Sequence, residues 1–221
     1  MKKVIQNLNI AFILLISLSF FACNKSDKIP PILTLLGKDT VSTILNATYT
    51  DDGAKATDDL DGDLTKSIVV KNEVNINKVG TYKVLYSVSD RAGNVAPTKT
   101  RTVIVYNNSY MYIGTYSVIN YIYYPVIDTN TYSTNIVTDS ILNNKLIFSV
   151  FSDTLTKKSN VYAIVTDKNI EIPFQKVTIA SDSEVYTFQG YGTINDTVID
   201  INYSKGIEQI IYMCKANFKK L

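Results

Sequence analysis

The 221-residue chain has no histidine, no tryptophan, two cysteines, and two arginines, Arg91 and Arg101. Each shortage excludes something. Without histidine, a Ser-His-Asp nucleophile, a Cys-His thiolate pair and a His-ligated zinc have no base or ligand in their usual forms. With so little arginine and no basic cluster, the counterion release that drives nucleic acid binding has no source, so no nucleic acid partner is expected. Attraction to an acidic lipid surface has none either. No Gly-rich phosphate loop of either common pattern occurs. The chain is therefore expected not to be an enzyme.

What is present begins with MKKVIQNLNIAFILLISLSFFAC. Lys2 and Lys3 form a basic start, no acid precedes Asp27, and Ile10 to Phe21 is almost purely apolar. That run is shorter than the roughly 20 residues an ordinary transmembrane helix needs. A basic start, a short apolar core and a small residue before a cleavage point form a secretory signal, here residues 1–22. Its end, Phe20-Phe21-Ala22-Cys23, resembles a bacterial lipobox. That resemblance implies lipidation of Cys23, with residues 23–29 as a tether, and so a protein held to the membrane by its lipid. Ala22 fits the pattern, while Phe20 and Phe21 depart from it in the loose manner of Bacteroidetes lipoproteins. Two or three acyl chains anchor firmly, since each buried CH₂ contributes about 0.8 kcal/mol. Removal of residues 1–22 leaves 20 basic and 20 acidic side chains, a near-neutral chain. Cys214 then has no second cysteine to pair with, and shares strand parity with Tyr212 and Phe218, as a small buried hydrophobe does.

After residue 30 no helical periodicity of useful length occurs. Short runs rich in Val, Ile, Thr and Tyr recur instead, separated by Asn, Asp, Gly and Ser, the pattern of an all-β protein. Two units are expected, at 30–107 and 108–221. In the first, Tyr82, Val84, Tyr86 and Val88 share one strand face, and Asp90-Arg91-Ala92-Gly93-Asn94 supplies a turn in which Gly93 can take positive φ. In the second, "GTINDTVIDINY" predicts a hairpin with Asn195-Asp196 as its turn, and Ile199, Ile201 and Tyr203 on one face. A second turn falls near Lys168-Asn169, followed by a short strand ended by Pro173. Leu146, Phe148 and Val150 make a further face. The order of hairpins predicts an antiparallel meander, either closed as a barrel or packed as a sandwich.

The stretches "GKDTVSTILNATYTDDGAKATDDLDGDLT", "VGTYKVLYSVSDRAGNVA" and "VIVY" resemble, in order, the bacterial immunoglobulin-like domain of the pesticidal-crystal-protein type. The departure is Val79, where a proline is common. This resemblance covers residues 30–106 and implies a seven-stranded β-sandwich serving as spacer, adhesive module or presenter of a neighbouring domain. The second unit, with "GTYSV" early, "FQGYGTINDTVIDINY" late and "CKANFKK" last, is similar to a domain of unknown function that follows immunoglobulin-like modules in Bacteroidetes surface lipoproteins. A lipocalin-like barrel has a comparable opening strand.

Residues 51–65, DDGAKATDDLDGDLT, hold six aspartates. An EF-hand needs oxygen ligands at positions 1, 3 and 5, glycine at 6 and glutamate at 12. Beginning at Asp59 puts Leu64 at the glycine position, and placing Gly62 sixth ends the loop on Ile68, so neither frame works. A different calcium site could draw on Asp58, Asp61, Asp63 and Asp90, and calcium is the only cofactor the sequence leaves open. The competing reading is structural. Asp side chains accept backbone N–H groups two residues on, and Gly53 and Gly62 make the bends. Close-set acids in a wet loop lack the apolar setting that raises the pKa of a glycosidase acid.

Eight of the sixteen tyrosines lie between Tyr106 and Tyr132. Tyr112, Tyr121 and Tyr123 are candidate ligand-binding rings, since tyrosine joins an apolar face to a polar tip. The alternative is that they line the barrel or a seam. Three functional readings follow. The immunoglobulin-like unit presents a β domain for extracytoplasmic binding or adhesion to a glycan or surface protein. The chain is a glycan-binding accessory of polysaccharide uptake. Or the second unit is a lipocalin-like carrier with a ligand inside. All three place it at the outer membrane, on its surface or its periplasmic face.

Overall fold

The computed structural model describes residues 27–152, 159–178 and 184–221. The signal segment and Cys23 lie outside the described residues. The described structure is β throughout apart from two short 3-10 turns. Its contacts divide it into two compact units: residues up to 37 with 52–71 and 85–100, and residues 38–51 with 72–84 and 101–221.

Seven strands come first: β1 (Ile32–Leu35), β2 (Thr40–Ile44), β3 (Ala54–Asp58), β4 (Gly62–Asp63), β5 (Val69–Asn72), β6 (Gly80–Ser87) and β7 (Lys99–Tyr106). They form a three-stranded sheet in the order β1-β3-β4 and a four-stranded sheet in the order β2-β7-β6-β5, with β2 parallel to β7. The two sheets together carry the seven strands expected of the immunoglobulin-like module. The alternation read from the sequence is the alternation of burial: Val84, Tyr86 and Val88 are buried, as are Val103 and Val105 on β7. One-sided burial of a strand demands that period of two.

The aspartate run shapes a connection. Asp58 Oδ1 accepts the N–H groups of Leu60 and Asp61 at 3.0 and 2.9 Å, and Asp63 Oδ1 accepts that of Thr65 at 2.9 Å. Gly53 and Gly62 take φ of 80° and 75°, a region that favours glycine.

Eight strands follow: β8 (Gly114–Tyr124), β9 (Asp128–Thr138), β10 (Lys145–Phe148), β11 (Val161–Thr166), β12 (Asn169–Thr178), β13 (Val185–Asn195), β14 (Val198–Ile207) and β15 (Ile210–Lys220). Each pairs antiparallel with the next, and β15 returns to β8, so the meander closes as a barrel. Closure removes the sheet edges that an open meander would expose.

The barrel interior is filled. Phe151 has the rings of Tyr203, Phe148, Phe188 and Phe218 around it, with centroids 4.8, 5.3, 5.7 and 5.9 Å away. Ile136, Leu146, Ile172, Ile199, Ile201 and Ala216 close the remaining space, each essentially inaccessible to solvent. A carrier needs a hollow interior. Among the described residues this interior is packed with aromatic rings, which counts against the carrier expectation.

Local details differ from the sequence expectations. Asn195 pairs with Val198 and Thr166 with Asn169, so the turn residues are Asp196-Thr197 and Asp167-Lys168, each one position from the predicted pair. Asp196 and Asp167 adopt φ of 51° and 55°, left-handed conformations that aspartate tolerates better than most residues. Pro173 does not end its strand: β12 runs on to Thr178, with the register shifting between Ile172 and Gln175. Proline has no N–H for the ladder, and a bulge is a place where none is needed. The Gln175 side chain takes up the slack, accepting the N–H of Tyr162 at 3.0 Å and donating to its carbonyl at 2.8 Å. Tyr110–Tyr112 is a 3-10 turn leading into β8.

Candidate functional site

Strand β13 reads VYTFQGYGTIN, and its inward parity is set by the buried Tyr186, Phe188 and Ile194. The two inward positions between Phe188 and Ile194 are Gly190 and Gly192. Neither presents a side chain to the interior, and β14 lies close against both. A Cβ at Gly192 would collide with the carbonyl oxygen of Asp200, and one at Gly190 would meet the backbone of Asn202 and Tyr203. The wall sinks where these side chains are missing, and outward-facing Tyr191 stands between the two glycines.

A groove of about 840 Å³ opens over this part of the wall, lined by residues of β11 to β15 and β8. The ladder places its chemistry. Tyr191 pairs with Glu171 on one side and Asn202 on the other, Gln189 pairs with Ser204, and Ser204 with Met213. Tyr123, at the far side on β8, completes the lining. Tyr191, Tyr123 and Met213 are 72%, 56% and 51% exposed, which is unusual for large apolar bodies in one concavity. Among the described residues lining the groove, Glu171 alone carries a formal charge.

The floor is held from inside. Tyr203 points inward and donates its hydroxyl to Asn120 Oδ1 at 2.8 Å, with both side chains buried. Burial pushes the Tyr203 phenol well above its ordinary range, so it stays protonated and serves as a fixed donor. Cys214 lies on the same inward side, buried as expected.

Of the tyrosines singled out from the sequence, Tyr123 lines the groove. Tyr121 also faces outward on β8, opposite Lys215, but lies outside the groove lining. Tyr112 packs partly against the barrel core and lines a second cavity of about 300 Å³, and its carbonyl accepts the Tyr116 hydroxyl at 3.0 Å. Sequence reasoning missed Tyr191, Met213, Asn202, Gln189 and Glu171. The signal was the pair of glycines at inward parity on either side of Tyr191, which marks a place where the wall lacks its inner side chains.

The four aspartates considered for calcium do not converge. Asp61 Oδ2 accepts the Arg91 N–H at 2.7 Å and its Oδ1 lies 3.6 Å from the Arg91 guanidinium. Asp63 is committed to Thr65, whose hydrogen bonds hold its carboxyl below the usual range. Asp90 is bonded to the Asn94 side chain and backbone. Burial works to raise its pKa, and the hydrogen bonds from Asn94, Gly93 and Ala92 bring it below the usual range. Asp58 instead gathers with Asp27 and Asp59, their carboxylate oxygens within 4.8 Å of one another. Asp58 Oδ2 is buried there without a hydrogen-bond partner.

Residues 33–105 match the model of a family described as bacterial surface protein, Ig-like domain. The chain is 45% identical over 62 residues to the pesticidal crystal protein Cry22Aa of Bacillus thuringiensis. The matched stretch is 28% of this chain and 8% of that protein's length. Among solved structures, a lipoprotein from Bacteroides thetaiotaomicron is 15% identical with a TM-score of 0.38, the match covering 86% of this chain and all of that one. The CBM51-2 and INT domains of Clostridium perfringens ZmpB, solved in complex with GlcNAc, give 14% identity and a TM-score of 0.29, covering 86% of this chain and 44% of that one.

Proposed function

We propose that this chain is a non-catalytic envelope lipoprotein, anchored through Cys23, in which the Ig-like domain acts as a spacer and the barrel binds an extracytoplasmic ligand. One observation carries the reading: the barrel is packed inside and grooved outside. With the core of the described residues filled, the wall is where recognition chemistry is offered, and the exposed tyrosines and amides gather there. The family of the first module and the signal-like start of the sequence support an envelope location.

The second reading, an accessory that captures glycan for a polysaccharide-uptake system, is favoured over simple adhesion by the groove's mixture of tyrosine and amide side chains. Pure protein adhesion surfaces are broad patches rather than grooves of this volume.

The test is fractionation of cells producing the full chain or its Cys23→Ser variant. The full chain is expected in the membrane fraction, cleaved by protease added to intact cells, and the variant in the soluble fraction. Retention of the Cys23→Ser variant on membranes overturns the lipid anchor.

A further inference from the structure

We infer that the outer groove of the barrel binds a neutral oligosaccharide, laid across β13, β14, β15 and β8 with Tyr191 at one end and Tyr123 at the other. The inference rests on the reading of the barrel as the binding domain and names its ligand class.

The first argument is dimension. From β13 to β8 the ladder crosses three inter-strand steps, about 14 Å at the usual strand spacing, which suits a short glycan segment rather than a single sugar. The groove volume of about 840 Å³ lies within the range of small-molecule sites.

The second is chemistry. Tyr191 and Tyr123 offer exposed apolar rings on which the C–H faces of pyranose rings can stack, and the thioether of Met213 lies on the strand next to β8. Asn202 and Ser204 stand on β14 between the rings, Gln189 lies beside Tyr191 on β13, and Glu171 flanks Tyr191 on the far side, on β12. An amide and a hydroxyl each supply both a donor and an acceptor, and a carboxylate supplies acceptors. A sugar hydroxyl is itself donor and acceptor, so the two sets can satisfy each other. A lipid or other apolar ligand would strip those groups of water and return nothing, which costs free energy for every group left unpaired.

The third is charge. Glu171 is the charged residue of the lining, and Lys215, outward on β15 between Asn202 and Tyr121, flanks it, so the groove has one carboxylate and one ammonium nearby. Phosphate, sulfate and uronate ligands are held by charge-assisted bonds from clustered cations, and a single flanking lysine beside a lining carboxylate is a poor match for them. The ligand class is therefore a neutral glycan.

The test uses the soluble mature chain, both domains intact, titrated with neutral gluco-, manno-, xylo-, galacto- and N-acetylglucosamine oligosaccharides. Polygalacturonate and chondroitin sulfate serve as acidic counterparts. Saturable binding is expected to at least one neutral series and to neither acidic polymer. Tyr191→Ala is expected to weaken it about tenfold or more, the effect of losing a central aromatic anchor, with the melting temperature unchanged. Tyr110→Ala, which removes an exposed tyrosine outside the groove, is expected to leave affinity as it was. Failure of every neutral series to bind at millimolar concentration overturns the inference. So does equal binding of the acidic polymers, or neutral binding that Tyr191→Ala leaves intact. Fractionation of the Cys23→Ser variant reports on anchoring alone, so loss of the anchor reading and loss of the glycan reading are separate outcomes.

Discussion

The guanidinium of Arg101 forms an ion pair with the carboxylate of Asp51, and Arg101 is completely buried. The same arginine donates from Nε to the Lys38 carbonyl at 2.9 Å, while Asp51 Oδ2 accepts the Tyr49 hydroxyl at 2.6 Å. A charged side chain thus occupies an inward position of β7, on the same face as Val103 and Val105.

Breaking this pair from one side should be severe. Asp51→Ala leaves a buried guanidinium without its counter-charge and is expected to cost about 3–5 kcal/mol. The double replacement Arg101→Met with Asp51→Leu removes both charges and is expected to cost much less than Asp51→Ala alone. Urea unfolding midpoints of the intact chain check both, and similar losses in the two variants would count against the assignment.

Tyr49 adds an alkaline dependence. Burial and the adjacent Asp51 push its pKa up to about 12 from the ordinary tyrosine value near 10. The sign follows from linkage. The unfolded chain releases the proton first, so the stability tied to this group is whole below about pH 10 and is lost as pH rises toward about 12. Tyr49→Phe is expected to lose stability less steeply over that window. Denaturation curves at pH 9, 10 and 11 measure the slope, and an unchanged slope would sink the idea.

Asn107 holds the entry to the barrel. Its buried amide donates to the carbonyls of Asp139 and Leu142, both at 2.9 Å, and accepts the N–H groups of Ser109 and Asn144 at 3.0 and 3.1 Å. Asn107→Ala leaves several of these groups unpaired and is expected to cost about 2–3 kcal/mol. Asn107→Asp keeps the acceptors but turns a carboxylate toward two carbonyl oxygens, which raises its folded pKa. Its stability should therefore be greatest below the unfolded pKa near 4 and fall as pH rises through the folded value. Thermal melts at pH 4 and pH 7 test that sign.

Gly192→Ala probes the groove from beneath. The added methyl group meets the Asp200 carbonyl oxygen on rigid backbone, so β13 must shift, at a cost of about 1–3 kcal/mol. The shift is expected to lower ligand affinity although the added methyl group is at inward parity and every outward-facing lining side chain is unchanged. A titration beside a melt separates the two effects: lost stability with full affinity would place the glycine in folding alone.

Strand faces were the most legible feature of the sequence. Tyr82-Val84-Tyr86-Val88 and Ile199-Ile201-Tyr203 were visible because one-sided burial imposes strict alternation. Turns were legible to within one residue, because Asn-Asp and Asp-Lys-Asn signal a reversal without specifying which residue takes positive φ. Pro173 misled because a proline stops a regular ladder but not a bulged one. The site was the least legible part. Tyr123 was visible as one of a crowd of tyrosines, whereas Tyr191 stands 68 residues further along the chain.

The sequence by itself determined an all-β chain, an Ig-like first module and a meander of hairpins after it, since local pattern and turn chemistry act over a few residues. Only the tertiary structure decided that the meander closes through β15 onto β8, that aromatic rings fill its interior, and that Tyr123 and Tyr191 come to one groove. The physical reason is that closure and filling depend on which strands meet across the barrel. That pairing is a balance of contacts among residues far apart in the chain, and no short window of sequence contains it.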